Sequence, residues 1–231
     1  MGIAERYSKV AEDVRQACED AGRPEDSALL LAVSKTVGID GVRDAIEAGA
    51  RDFGENRPEQ LMEKHAAFPD VRWHFIGNIQ SRRIRDIVPC AHLIHSVFEM
   101  KHARKIDEEA AKVGKVQNIL IEVNVSGEES KSGIRPAEAD AFLEECLGLA
   151  NVRVCGLMTM APQGDLSVAE DCFAGLAVLR DELREGVLAG HPDKLETFSQ
   201  LSMGMSEDWR EAIMEGSTIV RIGRAIFSDE F

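Results

Sequence analysis

Short apolar runs alternate with amphipathic stretches along nearly the whole chain, and this alternation narrows the fold more than any other feature. The runs Leu29–Ser34, Asp52–Gly54, Trp73–Ile76, Leu93–Ser96, Val116–Val125, Val152–Met158, Thr197–Leu201 and Thr218–Ile222 read as strands. The first of them carries five consecutive apolar residues, the pattern of a parallel strand buried on both faces. Between most of the strands, the segments Asp40–Ala48, Arg57–Ala66, Arg82–Val88, Glu99–Val113, Pro136–Leu149, Ser167–Leu188 and Ser206–Glu215 have helical periodicity. Pro136 suits a first helical turn, and Ser206 followed by Glu207 and Asp208 suits an N-cap. A further helix, Ile3 to Ala21, precedes the first strand and is stopped by Gly22-Arg23-Pro24. Eight strands, each followed by a helix or turn, predict an α/β chain folded as a single (β/α)8 TIM barrel with an extra N-terminal helix. No linker interrupts residues 1–231, so one domain is expected. An open doubly wound sheet remains the alternative, because the second, seventh and eighth strands are short.

The chain has 231 residues, slightly below the roughly 250 typical of such barrels, and 44% of them are hydrophobic. Forty-one acidic residues against 27 basic ones leave a net charge of −14. A surface of that sign repels nucleic acid and anionic membranes. The N-terminus lacks the basic and apolar regions of a signal peptide, and no apolar stretch reaches the roughly 20 residues of a membrane span. A cytoplasmic protein is expected. The five cysteines form no C-x-x-C pair and the histidines form no metal-ligand spacing, so free thiols and no metal site are expected.

Polar residues gather at the ends of the predicted strands: Lys35, Glu55-Asn56, His74, Gly77-Asn78, His95-Ser96, Asn124, Ser126, Met158-Thr159, Ser202 and Arg221-Gly223. In a barrel those ends form one face, where active sites lie. Lys35 reads either as a solvated lysine or as an amine placed to trap an aldehyde. Ser202-Met203-Gly204-Met205-Ser206 and Arg221-Ile222-Gly223-Arg224 read either as ordinary turns or as a phosphate cradle after the last two strands. An aldehyde-trapping lysine with a phosphate cradle points to pyridoxal 5′-phosphate (PLP). Arg221 ends a strand where an apolar residue is expected. It reads as half of a structural salt bridge or as a cation facing the PLP ring nitrogen, which it would leave unprotonated and weak as an electron sink. His74 reads as a satisfied core histidine or as a group facing the pocket, and Asn56 as a helix cap or a ligand contact.

At these residues the chain resembles the pyridoxal phosphate homeostasis protein family (YggS/PROSC family), whose barrel is like the N-terminal domain of alanine racemase. The likeness runs nearly end to end. It rests on Leu30 to Thr36, Phe53-Gly54-Glu55-Asn56, Trp73-His74-Phe75-Ile76-Gly77, Asn124-Val125-Ser126 through Ser130-Lys131-Ser132-Gly133, Gly156-Leu157-Met158, Leu201 to Ser206 and Val220-Arg221-Ile222-Gly223. The resemblance implies a PLP aldimine on Lys35 and Arg221 opposite the ring nitrogen. It implies phosphate held around Ser202, Gly223 and the backbone at Arg224, with Asn56 and Met158 beside the ring. Arg224 departs from the family, which commonly has a small hydroxyl residue there. The function implied is the binding of PLP (vitamin B6) in intracellular homeostasis of PLP and of amino and keto acids, without efficient catalysis and so without assigned catalytic residues. Implied partners are apo-PLP enzymes and amino acids, and a monomer is expected. Two alternatives stay open: a low-activity PLP-dependent amino-acid racemase, and a Schiff-base aldolase using Lys35 without PLP. Racemisation by two bases needs an acid or base on each face of the ring, and Tyr7, the only tyrosine, lies on the first helix.

Overall fold

The computed structural model describes residues 1–128 and 131–229. Ser130 of the Ser130–Gly133 motif and the tail residues Glu230 and Phe231 lie outside them. Eight parallel strands close into a barrel in sequential order: β1 (Leu29–Val33), β2 (Asp52–Glu55), β3 (Arg72–Phe75), β4 (Leu93–Val97), β5 (Gln117–Glu122), β6 (Val152–Met158), β7 (Gln200–Ser202) and β8 (Ile219–Ile222). The seam is the β1–β8 pair, in register from Leu29 opposite Ile219 to Ala32 opposite Ile222. Closure decides the fold against the open sheet.

Helix α1 (Ile3–Asp20) precedes β1, and α2 (Ile39–Glu47), α3 (Pro58–Ala67), α4 (Ile84–Ile87), α5 (Met100–Lys112), α6 (Ala139–Leu147) and α7 (Leu166–Glu185) follow β1 to β6. Helix α8 (Pro192–Leu195) also lies between β6 and β7, α9 (Trp209–Met214) follows β7, and α10 (Arg224–Phe227) follows β8. Helix α1 buries Val10, Val14 and Cys18, and Gly22 ends it with a left-handed φ of 69°. Arg6 of α1 reaches across to the other terminus, donating to the Ile226 carbonyl at 2.8 Å and to Asp229 Oδ1 at 2.7 Å. Among the described residues no helix is long and apolar enough to cross a membrane.

Two apolar layers follow from strand alternation, which sends successive side chains to opposite faces. Leu31, Leu93, Leu120, Cys155, Met158 and Ile219 fill the barrel interior. Phe53, Trp73, Phe75, Ile119, Ile121, Leu157 and Val220 point outward and pack beneath residues such as Val42, Leu61, Ile106, Leu143 and Phe173 of the helices. Each large side chain so buried stabilises the fold by about 1.5–3 kcal/mol.

Three of the boundary differences from the sequence reading have a local cause. Strand β5 stops at Glu122, because the chain turns at Asn124, whose Oδ1 accepts the Gly127 N–H at 3.0 Å. Strand β7 begins at Gln200, because Thr197 and Phe198 are drawn into a helical turn on the Lys194 carbonyl. Helix α9 begins at Trp209, and its N-cap residue is Asp208, not Ser206. Asp208 Oδ1 accepts the Met205 N–H at 2.6 Å, so the carboxylate fixes the turn before the helix.

Candidate functional site

A cavity of about 510 Å³ opens at the carboxyl ends of the strands. Of the eight residues expected to contact the ligand, five line it: Lys35, Asn56, Arg221, Gly223 and Arg224. They lie at or just after the ends of β1, β2 and β8, which are neighbours in the closed barrel. Lys35 follows β1 directly, where Ser34 is held by its N–H on the Gly54 carbonyl and the Val37 N–H returns to the Ser34 carbonyl. The Lys35 side chain is exposed to the cavity and has no hydrogen bond or ion pair among the described residues.

Beneath this turn lies a buried ion pair. Lys64 Nζ meets Glu55 Oε1 at 2.5 Å and the Ser34 carbonyl oxygen at 2.8 Å, and Ser34 Oγ donates to the same Glu55 oxygen at 2.6 Å. Three elements, β1, β2 and α3, are thereby tied together under Lys35. Gly77 permits a second close approach: a Cβ there would lie 2.1 Å from the Asn56 carbonyl oxygen. Only glycine lets the chain after β3 pack against Asn56 at the cavity wall.

Arg221 forms the floor. It is buried, with Nη1 donating to Ser202 Oγ at 2.7 Å and Nη2 to the Thr159 carbonyl at 3.0 Å. Burial pushes its pKa down to about 10, opposed by the nearby carboxylates of Asp208 and Glu122, and it stays a cation at neutral pH. Burial raises Glu122, at the end of β5, to about 7 despite Arg221 and Ser132. On the far side Arg224 is exposed and pairs with Glu207 at 2.6 Å.

Ser202, Met158 and His74 do not line the cavity. Ser202 lies one layer below, its hydroxyl engaged by Arg221 and His95. Met158 belongs to the apolar plug of the barrel. His74 points inward, but to His95 and Asp52 and not to the pocket. In their places the cavity wall has Ser206, Met160 and Ile76. The sequence reading also passed over the role of His95, whose position two residues after the inward Leu93 was the available signal.

The residues present match the handles of a phosphorylated pyridine aldehyde. Lys35 offers a primary amine, Arg221 a fixed cation at the floor, and Ser206 with the Gly223–Arg224 backbone a polar wall after β7 and β8. The two carboxylates on that side are already engaged, Glu207 by Arg224 and Asp208 by the Met205 N–H.

Comparison with known proteins agrees with this architecture. The alanine racemase N-terminal domain family matches residues 7–230. The chain is 42% identical to the pyridoxal phosphate homeostasis protein of Aquifex aeolicus, over 99% of both chains. It is also 42% identical to that of Pseudomonas aeruginosa, over 97% of this chain and 94% of the other. The structure of PipY from Synechococcus elongatus with PLP bound superposes with a TM-score of 0.80 at 33% identity, covering 95% of this chain and all of PipY (100%). Full-length similarity and a shared closed barrel together place this chain in the pyridoxal phosphate homeostasis protein family.

Proposed function

We propose that this protein binds PLP as a Schiff base on Lys35 and serves intracellular homeostasis of PLP and of amino and keto acids, as a single-domain cytoplasmic carrier and not an efficient enzyme. The observation that carries the reading is that a lysine amine with no partner among the described residues and a buried arginine share one cavity at the strand ends. The PLP-bound relative supports it. When bound, PLP supplies a reactive aldehyde and a conjugated ring able to delocalise electrons.

The chain's residues bias the site toward holding the ligand. Lys35 provides the nucleophilic nitrogen. Arg221 remains protonated, so opposite a ring nitrogen it would donate a hydrogen bond without giving up its proton and would leave the ring a weak electron sink. Ser206 and the backbone at Gly223 and Arg224 would take the phosphate, and Asn56 would lie at the ring edge. Tyr7, on α1, is not part of the cavity wall, which argues against a tyrosine acid or base on the second face of the ring.

The test is the visible absorbance of purified protein with added PLP, before and after borohydride, followed by peptide mapping. Reduction that fixes the pyridoxyl label on Lys35 is expected. Binding without a covalent label, or a label on another lysine, would overturn the assignment. Incubation with L-alanine in D2O separates the racemase alternative, which requires deuterium at the α-carbon with turnover.

A further inference from the structure

Below the cavity a line of polar side chains crosses the apolar barrel interior. From Arg221, Nη1 donates to Ser202 Oγ at 2.7 Å, and Ser202 Oγ lies 2.8 Å from His95 Nδ1. His95 Nε2 lies 2.9 Å from His74 Nδ1, and His74 Nε2 lies 3.1 Å from Asp52 Oδ1. Arg72 ends the line with two bonds of 2.6 Å to the two oxygens of Asp52. Ser202, His95, His74 and Asp52 are buried, whereas the Arg72 side chain is half-exposed. Asp52 and Arg72 are the first residues of β2 and β3, so the line runs from the cavity floor toward the opposite end of the barrel.

The chemistry of the two ends fixes every proton between them. A guanidinium only donates, so Ser202 accepts from Arg221 and its own hydroxyl hydrogen is available to His95 Nδ1, which the order of the two neutral rings running from Asp52 leaves as an acceptor. His95 then carries its proton on Nε2 and donates to His74 Nδ1. His74 in turn carries its proton on Nε2 and donates to Asp52, which as a carboxylate only accepts. Reversing one ring would set two lone pairs, or two N–H groups, against each other in a buried site. Burial keeps both rings neutral: it lowers the His74 pKa against the pull of Asp52, and lowers that of His95 further, with His74, Arg221 and His92 adding to the effect. Bonds that all point one way polarise one another.

Packing alone does not call for this line. The apolar part of the interior is Leu31, Leu93, Leu120, Cys155, Met158 and Ile219, and a buried polar network is seldom more stable than apolar side chains of the same volume. Its one contact with the cavity is Arg221.

The geometry points to Asp52, His74 and His95 as positioning residues: a one-directional hydrogen-bond relay that orients the Arg221 guanidinium at the cavity floor and couples its hold on the ligand's ring nitrogen to a carboxylate at the far end of the barrel. The relay rests on the PLP reading of the cavity for its role, but not for its proton order.

Two measurements test it. In the ligand-free protein, ¹⁵N NMR of labelled histidines at neutral pH should find His74 and His95 both neutral and protonated on Nε2. A proton on Nδ1 of His95, or a doubly protonated ring, overturns the relay. Asp52→Asn removes the terminal charge without touching the cavity, and Arg72→Gln weakens the same end from a half-exposed position that tolerates change. Each should weaken PLP binding, by about 3- to 30-fold for Asp52→Asn and less for Arg72→Gln, and shift the absorbance of the bound ligand. Val14→Ala, a core change on α1, should lower thermal stability without moving either readout. If the unaltered protein binds PLP and both relay variants match it in affinity and spectrum, the proposal falls. If the unaltered protein does not bind PLP, the reading of the cavity falls instead, and the NMR result alone decides the proton order.

Discussion

Lys64 Nζ lies 2.8 Å from the carbonyl oxygen of Ser34, the residue immediately before the cavity lysine. The same ammonium neutralises Glu55, and both charges are fully enclosed. Removing one partner of such a pair strands the other in a medium that solvates it poorly. Lys64→Met should therefore cost about 3–5 kcal/mol in urea denaturation. The double variant Lys64→Met with Glu55→Gln should recover part of that. A single variant within about 1 kcal/mol of the parent would show that the pair is not what holds the β1 end.

Lys35 has the opposite character. It is exposed, and no described residue holds its amine. Lys35→Ala should leave stability within about 0.5 kcal/mol while abolishing the borohydride-fixed label. Lys35→Arg should behave like Lys35→Ala despite keeping the charge, because a guanidinium is not a nucleophile at neutral pH. Retention of the label in either variant would show that another amine carries the ligand.

Glu122 gives a pH-dependent prediction whose sign is fixed. Its folded pKa is raised from 4.5 to about 7. Between those values the folded state keeps a proton that the unfolded chain has released, so the contribution is full at low pH and is lost as pH rises through about 7. Glu122→Gln is neutral at every pH. Relative to the parent, it should gain about 1–3 kcal/mol between pH 5 and pH 8. A parent-to-variant difference that stays constant over that range would remove the assignment. The parent's own curve has a second component of opposite sign. His74 and His95 have lowered pKa values, so as pH falls below 6.5 the unfolded chain takes up protons the folded state refuses. The variant isolates the carboxylate from that background.

Gly77→Ala tests the cavity wall. The added methyl would sit 2.1 Å from the Asn56 carbonyl oxygen and 2.8 Å from its Cα, so the backbone of one strand end must move. A loss of about 1–3 kcal/mol in thermal stability is expected, together with weaker PLP binding in a spectral titration. An unchanged melting temperature with unchanged affinity would mean that Asn56 can shift without consequence.

How legible these features were in the sequence depended on the range of the interactions behind them. The barrel and the placement of Lys35 and Arg221 could be read from local pattern, because an apolar run marks a strand and its end marks the face. The Lys64–Glu55 pair could not. Lys64 sits among Glu63 and His65 on a helix of mixed polarity, and only three-dimensional packing turns its side chain inward. The family resemblance implies Ser202 at the phosphate, whereas its hydroxyl is held by Arg221 and His95. Its partner His95 lies 107 positions away, and their contact crosses the barrel interior from β4 to β7. Ser206 looked like a cap because it precedes two acids, yet Asp208, two residues on, takes that position and holds the turn with its own carboxylate. Local chemistry predicted which residue types would cluster. It did not predict which of them the barrel would turn inward and use on one another.

The seam between β1 and β8 also orders events in time. Lys35 is delivered by the first strand and Arg221 by the last, and the two line one cavity only after Leu29 to Ala32 have paired with Ile219 to Ile222. The seam cannot form before the last strand is available, and its closure carries the entropic cost of a long loop. A chain still on the ribosome, with its last strand unreleased, has the amine but not the floor beneath it. Such a nascent chain can react with free aldehydes only as any exposed lysine does. On the proposed reading, selective capture of PLP requires the closed circle, so possession of the ligand would mark a finished molecule.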